Sequence, residues 1–182
     1  AGIDRVYHIA AMSREAGLPA ATYRAVNAQA VRDVIVASKR AGVARVVHCS
    51  TVGVHGDVER PPANEDAPLR PGDVYQETKL EGENLARETG AQLGIEVTIA
   101  RPTGIYGPGD RRLLKLFRGV ARSTFPILGS GNIFYHLTYI EDLVEGFRRC
   151  AEGPGGAGRT YILAGGEVTT LNELVALIAD VA

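Results

Sequence analysis

The sequence has no tryptophan, one methionine and only two cysteines, Cys49 and Cys150, which lie far apart. Two distant cysteines make no disulfide framework and no metal-ligand spacing, so reduced, partly buried thiols in a cytoplasmic protein are expected. No apolar run approaches the roughly 18 residues of a membrane span, and no signal-peptide pattern is visible. Lysine is scarce: Lys39, Lys79 and Lys115 stand among seventeen arginines. The formal net charge of −1 offers nothing to attract nucleic acid or an anionic membrane, so neither is expected as a partner.

What is present fits one α/β domain. A length of 182 residues is enough to bury a real core, and the 45% hydrophobic and 23% charged content is that of an ordinary globular chain. The informative stretch is Asp73-Val74-Tyr75-Gln76-Glu77-Thr78-Lys79. Asp73 can cap a helix and Gln76 can reach back to that cap. Tyr75 and Lys79 then share one face, a turn apart. A nearby ammonium and the helix N-terminus both favour a phenolate, which turns a poor base into a usable one. With so few lysines, chance supplies only about 0.1 such pairs, yet a surface Tyr and Lys on an amphipathic helix would look the same.

Its neighbours decide between these. Upstream, Val46-Val47-His48-Cys49-Ser50-Thr51 is a β-branched run ending in two hydroxyls. Downstream, a strand over 95–101 leads into Arg101-Pro102-Thr103-Gly104-Ile105-Tyr106-Gly107-Pro108. With Val6-Tyr7-His8-Ile9-Ala10-Ala11, Asn27 and Tyr139-Ile140-Glu141-Asp142, this order resembles the extended short-chain dehydrogenase/reductases. Within them it is most similar to the NAD-dependent epimerase/dehydratase family of nucleotide-sugar epimerases, over essentially the whole chain.

That resemblance implies a partial Rossmann-like, doubly wound parallel sheet with flanking helices, lacking the first βαβ units. It implies Thr51, Tyr75 and Lys79 as catalytic residues. Ile9, Ala10, Ala11, Asn27, Ser50, Pro102 and Thr103, with Tyr75 and Lys79, would line NAD. Thr51, Gly104 and Arg111 would meet a nucleotide-sugar substrate. NADP stands as the alternative cofactor. The helices carrying Asn27 and Tyr75 often pair between subunits of the family, which implies a homodimer.

Along the chain, buried parallel strands are expected over 4–10 and 44–50, and a helix with Val26, Ala30, Val31, Val34 and Ile35 on one face, closed by Gly42. Residues 57–72, with four prolines, read as a loop. The Tyr75 helix should stop near Gly90. Asp110 should cap a basic helix over 111–122, whose arginines are either a solvated face or a diphosphate site. Residues 125–135 look like a hairpin, Thr138 with Glu141 and Thr170 with Glu173 like capping boxes, and 161–164 like a last strand.

Four departures from the family matter. His55 stands where tyrosine is usual, Gly104 where asparagine is common, and Tyr135-His136 where an arginine often holds the nucleotide. Val52-Gly53 replaces the Asp-Glu that follows the hydroxyl residue in dehydratases, which argues against water loss. No Gly-x-Gly-x-x-Gly or Gly-x-x-Gly-x-x-Gly follows a strand and opens a helix, where pyrophosphate is received. With a first residue other than methionine, a segment of roughly 60 residues ahead of the chain is expected, and the C-terminal sugar-binding part is expected to be short. A nucleotide-sugar epimerase is therefore the leading expectation, inactive if this stretch stands alone. A ketone or steroid-like alcohol reductase and a non-catalytic self-associating fragment are the alternatives.

Overall fold

β-Branched runs alternate with amphipathic stretches along the chain, and a computed structural model, which describes residues 2–13, 15 and 17–181, builds an α/β fold from them. In chain order the elements are β1 (Arg5–His8), α1 (Ala20–Arg24), a π turn (Ala25–Gln29), α2 (Ala30–Arg40), β2 (Arg45–Cys49), a 3-10 turn (Val52–His55), α3 (Val74–Leu93) and β3 (Glu96–Pro102). Then come β4 (Gly104–Tyr106), α4 (Leu114–Ala121), β5 (Phe134–Tyr135), β6 (Leu137–Tyr139), α5 (Ile140–Glu152), β7 (Thr160–Leu163), β8 (Thr169–Thr170) and α6 (Leu171–Val181). They fall into two compact units: one runs to Pro102 and takes in Glu145–Leu163, the other is Thr103–Val144 with the residues after Leu163.

The first unit is a four-stranded parallel sheet in the order β1-β2-β3-β7. Val46 and Val97 meet Val31, Ile35, Val43, Ala86 and Ile95 in one apolar cluster, so α2 and α3 cover a face of the sheet. Asp73 caps α3, accepting from Gln76 N at 2.8 Å, and the Gln76 side chain reaches back to Gly72 N at 2.6 Å. At the other end of the strands, Arg45 donates to the carbonyls of Cys150, Ala151 and Gly153, satisfying the last turn of α5 with a cation. Glu65 accepts from the backbone N of Ile162 at 2.8 Å, on the side of β7 away from β3.

Three expectations need correction here. β1 is not buried on both sides: it pairs only with β2 among the described residues, and Tyr7 and Ile9 are 40% and 56% exposed. α3 does not stop near Gly90. It runs on to Leu93 and ends at Gly94, whose φ of +60° is the left-handed C-cap. Gly90 serves packing instead, since a Cβ there would lie 2.6 Å from Val97 Cγ2. Helical structure also begins earlier than the apolar spacing suggested, at Ala20.

The second unit holds two small sheets, β4 with β6 parallel and β5 with β8 antiparallel. Leu116 and Val120 of α4 pack on Leu174 and Ile178 of α6. Thr170 and Glu173 form the expected capping box, with Thr170 N donating to Glu173 at 2.7 Å and Glu173 N to Thr170 at 3.2 Å. The hairpin over 125–135 does not form, because Phe134 and Tyr135 pair with Thr170 and Thr169 rather than with the preceding stretch. α4 begins at Leu114, and Asp110 binds the backbone N and guanidinium of Arg112 instead of capping it.

Candidate functional site

The carboxyl ends of parallel strands are where open α/β sheets place their ligands. In the first unit the ends of β1 and β2 and the first turn of α3 are tied together by side chains. Asn27, on the π turn and with no solvent exposure, accepts from Met12 N at 2.8 Å and donates to Met12 O at 3.0 Å. Its amide also donates to Thr78 Oγ1 at 3.1 Å, and that hydroxyl donates to the carbonyls of Val74 and Tyr75. One asparagine thus joins the segment after β1 to the turn that carries Tyr75. Asn27 thereby fixes the segment after β1 against the start of α3.

Tyr75 is half-buried on the first turn of α3, where the helix N-terminus favours a negative oxygen. Lys79, one turn on, is 1% exposed and donates to Cys49 O at the end of β2. Burial pushes its ammonium below the usual range, opposed by the charges of Cys49 and Glu83. The same burial pushes the Cys49 thiol up. Ser50 is buried, its N donating to Ala100 O at 2.7 Å.

Thr51 is half-buried and opens the 3-10 turn, its Oγ1 accepting from Gly53 N at 3.1 Å. A Cβ on Gly53 would sit 3.2 Å from Gln76 Cγ and 3.3 Å from Thr51 Oγ1, so the lack of a side chain eases the close approach of this turn to the start of α3. Ile9, Ala10 and Ala11 are exposed beyond β1, which leaves room for a ligand against small residues. Pro102 ends β3 and is buried. In the second unit Thr103 shares a hydrogen bond with Thr138, Gly104 opens β4 against Leu137, and Arg111 is exposed.

His55 is fixed in place by its neighbours. Its Nδ1 lies 3.2 Å from Pro68 O and its Nε2 3.1 Å from Arg101, so both ring nitrogens are engaged. Arg101, 2% exposed, grips the fully buried Glu83 through two bonds of 2.9 and 2.7 Å. Sequence reasoning passed over this pair. An arginine at the end of a strand run, directly before Pro102, was the available signal. An open cavity of about 540 Å³ lies under the 57–70 loop, lined by His55, Asp57, Glu59, Arg60 and Arg70, but none of Thr51, Tyr75 and Lys79 borders it. Among the described residues no group of three His, Cys, Asp or Glu could hold a metal, and no helix is long and apolar enough to cross a membrane.

A parallel sheet flanked by helices, with a Tyr-x-x-x-Lys helix against the strand ends, defines a Rossmann-like short-chain dehydrogenase/reductase. The model of the NAD dependent epimerase/dehydratase family matches residues 1–164, and the chain belongs to that family. It is 31% identical to a dTDP-glucose 4,6-dehydratase of Streptomyces griseus, covering 100% of this chain and 57% of that protein. It is 32% identical to an Arabidopsis thaliana 3beta-hydroxysteroid-dehydrogenase/decarboxylase, covering 98% of this chain and 34% of the relative. The UDP-glucuronic acid 4-epimerase of Bacillus cereus, solved in complex with NAD, superposes with a TM-score of 0.88 at 25% identity, over 99% of this chain and 60% of that one. The chain therefore spans between a third and three-fifths of the length of these relatives, and NAD is bound in that epimerase and in other structural neighbours.

Proposed function

We propose that this chain carries the proton-transfer machinery of an NAD-dependent nucleotide-sugar epimerase. Tyr75, as phenolate, takes the proton of a sugar hydroxyl. Lys79 holds the positive charge that favours the phenolate, and Thr51 donates a hydrogen bond to the reacting oxygen. Bound NAD supplies the hydride acceptor and donor. Ile9 to Ala11, with Ser50, Pro102 and Thr103, offer the small and hydroxylated surface that such a cofactor needs. The family pattern puts Ile9 to Ala11 beside its adenosine and ribose and Pro102 and Thr103 near its nicotinamide, whereas no Gly-rich turn that follows a strand and opens a helix occurs in this sequence for the pyrophosphate. Gly104 is assigned to substrate by the family pattern, and Arg111 by the fit of a guanidinium to phosphate oxygens.

The observation that carries this reading is the bond from the buried Lys79 ammonium to Cys49 O. It anchors the amine beside the strand end that leads into Thr51, with Tyr75 a turn away on the same helix. Val52-Gly53 provides no acid after Thr51, which favours epimerisation over dehydration even though a dehydratase is among the relatives. In the protein bearing these residues, UDP- or dTDP-hexose should be epimerised with NAD and no net change in nicotinamide absorbance. Tyr75→Phe should lower turnover by about 10²–10⁴; unchanged turnover would refute the assignment.

The steroid dehydrogenase relatives favour a second reading, oxidation of a cyclic alcohol with net reduction of the cofactor, NADP included. A steady rise in nicotinamide absorbance with a sterol substrate would select it. A homodimer through α2 and α3, in a cytoplasmic enzyme, belongs to the first reading. Sedimentation at micromolar concentration tests the dimer.

A further inference from the structure

One buried titratable pair takes no part in the chemistry above. His8 on β1 and His48 on β2 are register partners in the parallel sheet. Their rings stack with centroids 5.4 Å apart and 20° between planes, and their Nδ1 atoms are 3.2 Å apart. A hydrogen bond between two imidazole nitrogens needs one proton between them, with one ring donating and the other accepting. His48 has no solvent exposure, and its Nε2 has no hydrogen-bond partner among the described residues. That asymmetry assigns the proton. If His8 donated, His48 would carry its hydrogen on Nε2 as a buried N–H with no acceptor, the rarer and costlier kind of orphan. His48 therefore donates from Nδ1, and His8 accepts.

The pair sits at the last rung joining β1 to β2, just before the exposed segment that Asn27 grips at Met12. We propose that His8 and His48 form a one-proton latch, which fastens the end of β1 while both rings are neutral and lets residues 8–12 loosen when a second proton enters. His8, at 9% exposure, is the ring that water can reach. Protonated on Nδ1, it would aim an N–H at the N–H of His48, and the contact could not be kept. The charged groups acting on the pair discourage that charge: Lys79 acts on both rings and Arg87 on His48, while the buried acid Glu83 is held by Arg101 and Arg87. Burial adds to this, so release falls in the acid range and not at neutral pH. The latch does not depend on the cofactor. Its consequence for NAD rests on the reading above, in which residues 9–11 pass beside the cofactor.

Nitrogen-15 imidazole spectra and amide exchange of the full chain, without NAD, test it between about pH 7 and pH 5. At neutral pH His48 should be the Nδ1–H tautomer and His8 the Nε2–H tautomer. A single coupled transition below the ordinary histidine value should speed amide exchange at residues 8–12 on the order of tenfold, with β3 unchanged. His48→Phe should abolish that pH dependence, and His8→Asn, at the sheet edge, should do the same if the first variant does not fold. Rings that titrate independently near the ordinary value, the opposite tautomers, or exchange that rises equally in β3 would overturn the latch. None of these readouts involves cofactor or turnover, so failure of the epimerase reading would leave them interpretable.

Discussion

Gly82 of α3 and the carbonyl of Asn27 meet so closely that a Cβ on Gly82 would lie 2.2 Å from that oxygen. An alanine there would gain about 1 kcal/mol of helix propensity. It would also drive a methyl into backbone, which costs about 1–3 kcal/mol and disturbs the π turn. Gly82→Ala is thus expected to lower stability, read as a lower urea midpoint, and to loosen the Asn27 grip on Met12. A more stable variant would show that helix and turn can separate freely.

Arg101 and Glu83 form the most deeply buried ion pair, 2% and 0% exposed. Arg101→Met should cost about 3 kcal/mol, the lower end for an uncompensated buried charge, because Arg87 still reaches Glu83 at 3.0 Å. Removing both charges with Glu83→Leu should recover most of the loss. Chemical denaturation of the single and double variants checks this through the coupling between them.

Stability should fall with acid in two windows. Burial, aided by Lys79, holds His8 and His48 below the ordinary value of 6.5 in the folded chain. The unfolded chain takes up those protons first, so their contribution is full above about pH 6.5 and is lost as the pH drops below it. Burial pushes Glu83 up, but its bonds and charge interactions with Arg101 outweigh this and leave it below 4.5. That contribution is present above pH 4.5 and is lost on further acidification. Denaturation midpoints against pH should show both slopes, and His48→Phe should flatten only the upper one.

Residues 1–182 are expected to bind NAD poorly, because this sequence offers the pyrophosphate no Gly-rich turn that follows a strand and opens a helix. Titration calorimetry giving micromolar affinity would contradict this.

Local chemistry made part of this molecule readable from its residues. Asp73 with Gln76 and Thr170 with Glu173 are caps whose partners lie within a few positions, and both hold. The Tyr75–Lys79 spacing needs only one helical turn. What escaped were pairings that depend on register or tertiary contact. His8 and His48 are forty positions apart, and nothing short of the β1–β2 register places them together. Asn27 bonds Met12 and Thr78, fifteen and fifty-one positions away, and no local pattern announces either contact. Phe134 and Tyr135 have a hairpin's composition, yet their partners come from Thr169 and Thr170. β1 looked interior because an apolar run does not say on how many sides a strand has neighbours.

Glu65 adds something that concerns crowding more than catalysis. By occupying the outward N–H of Ile162, its carboxylate spoils β7 as a template on which a stray extended chain could grow.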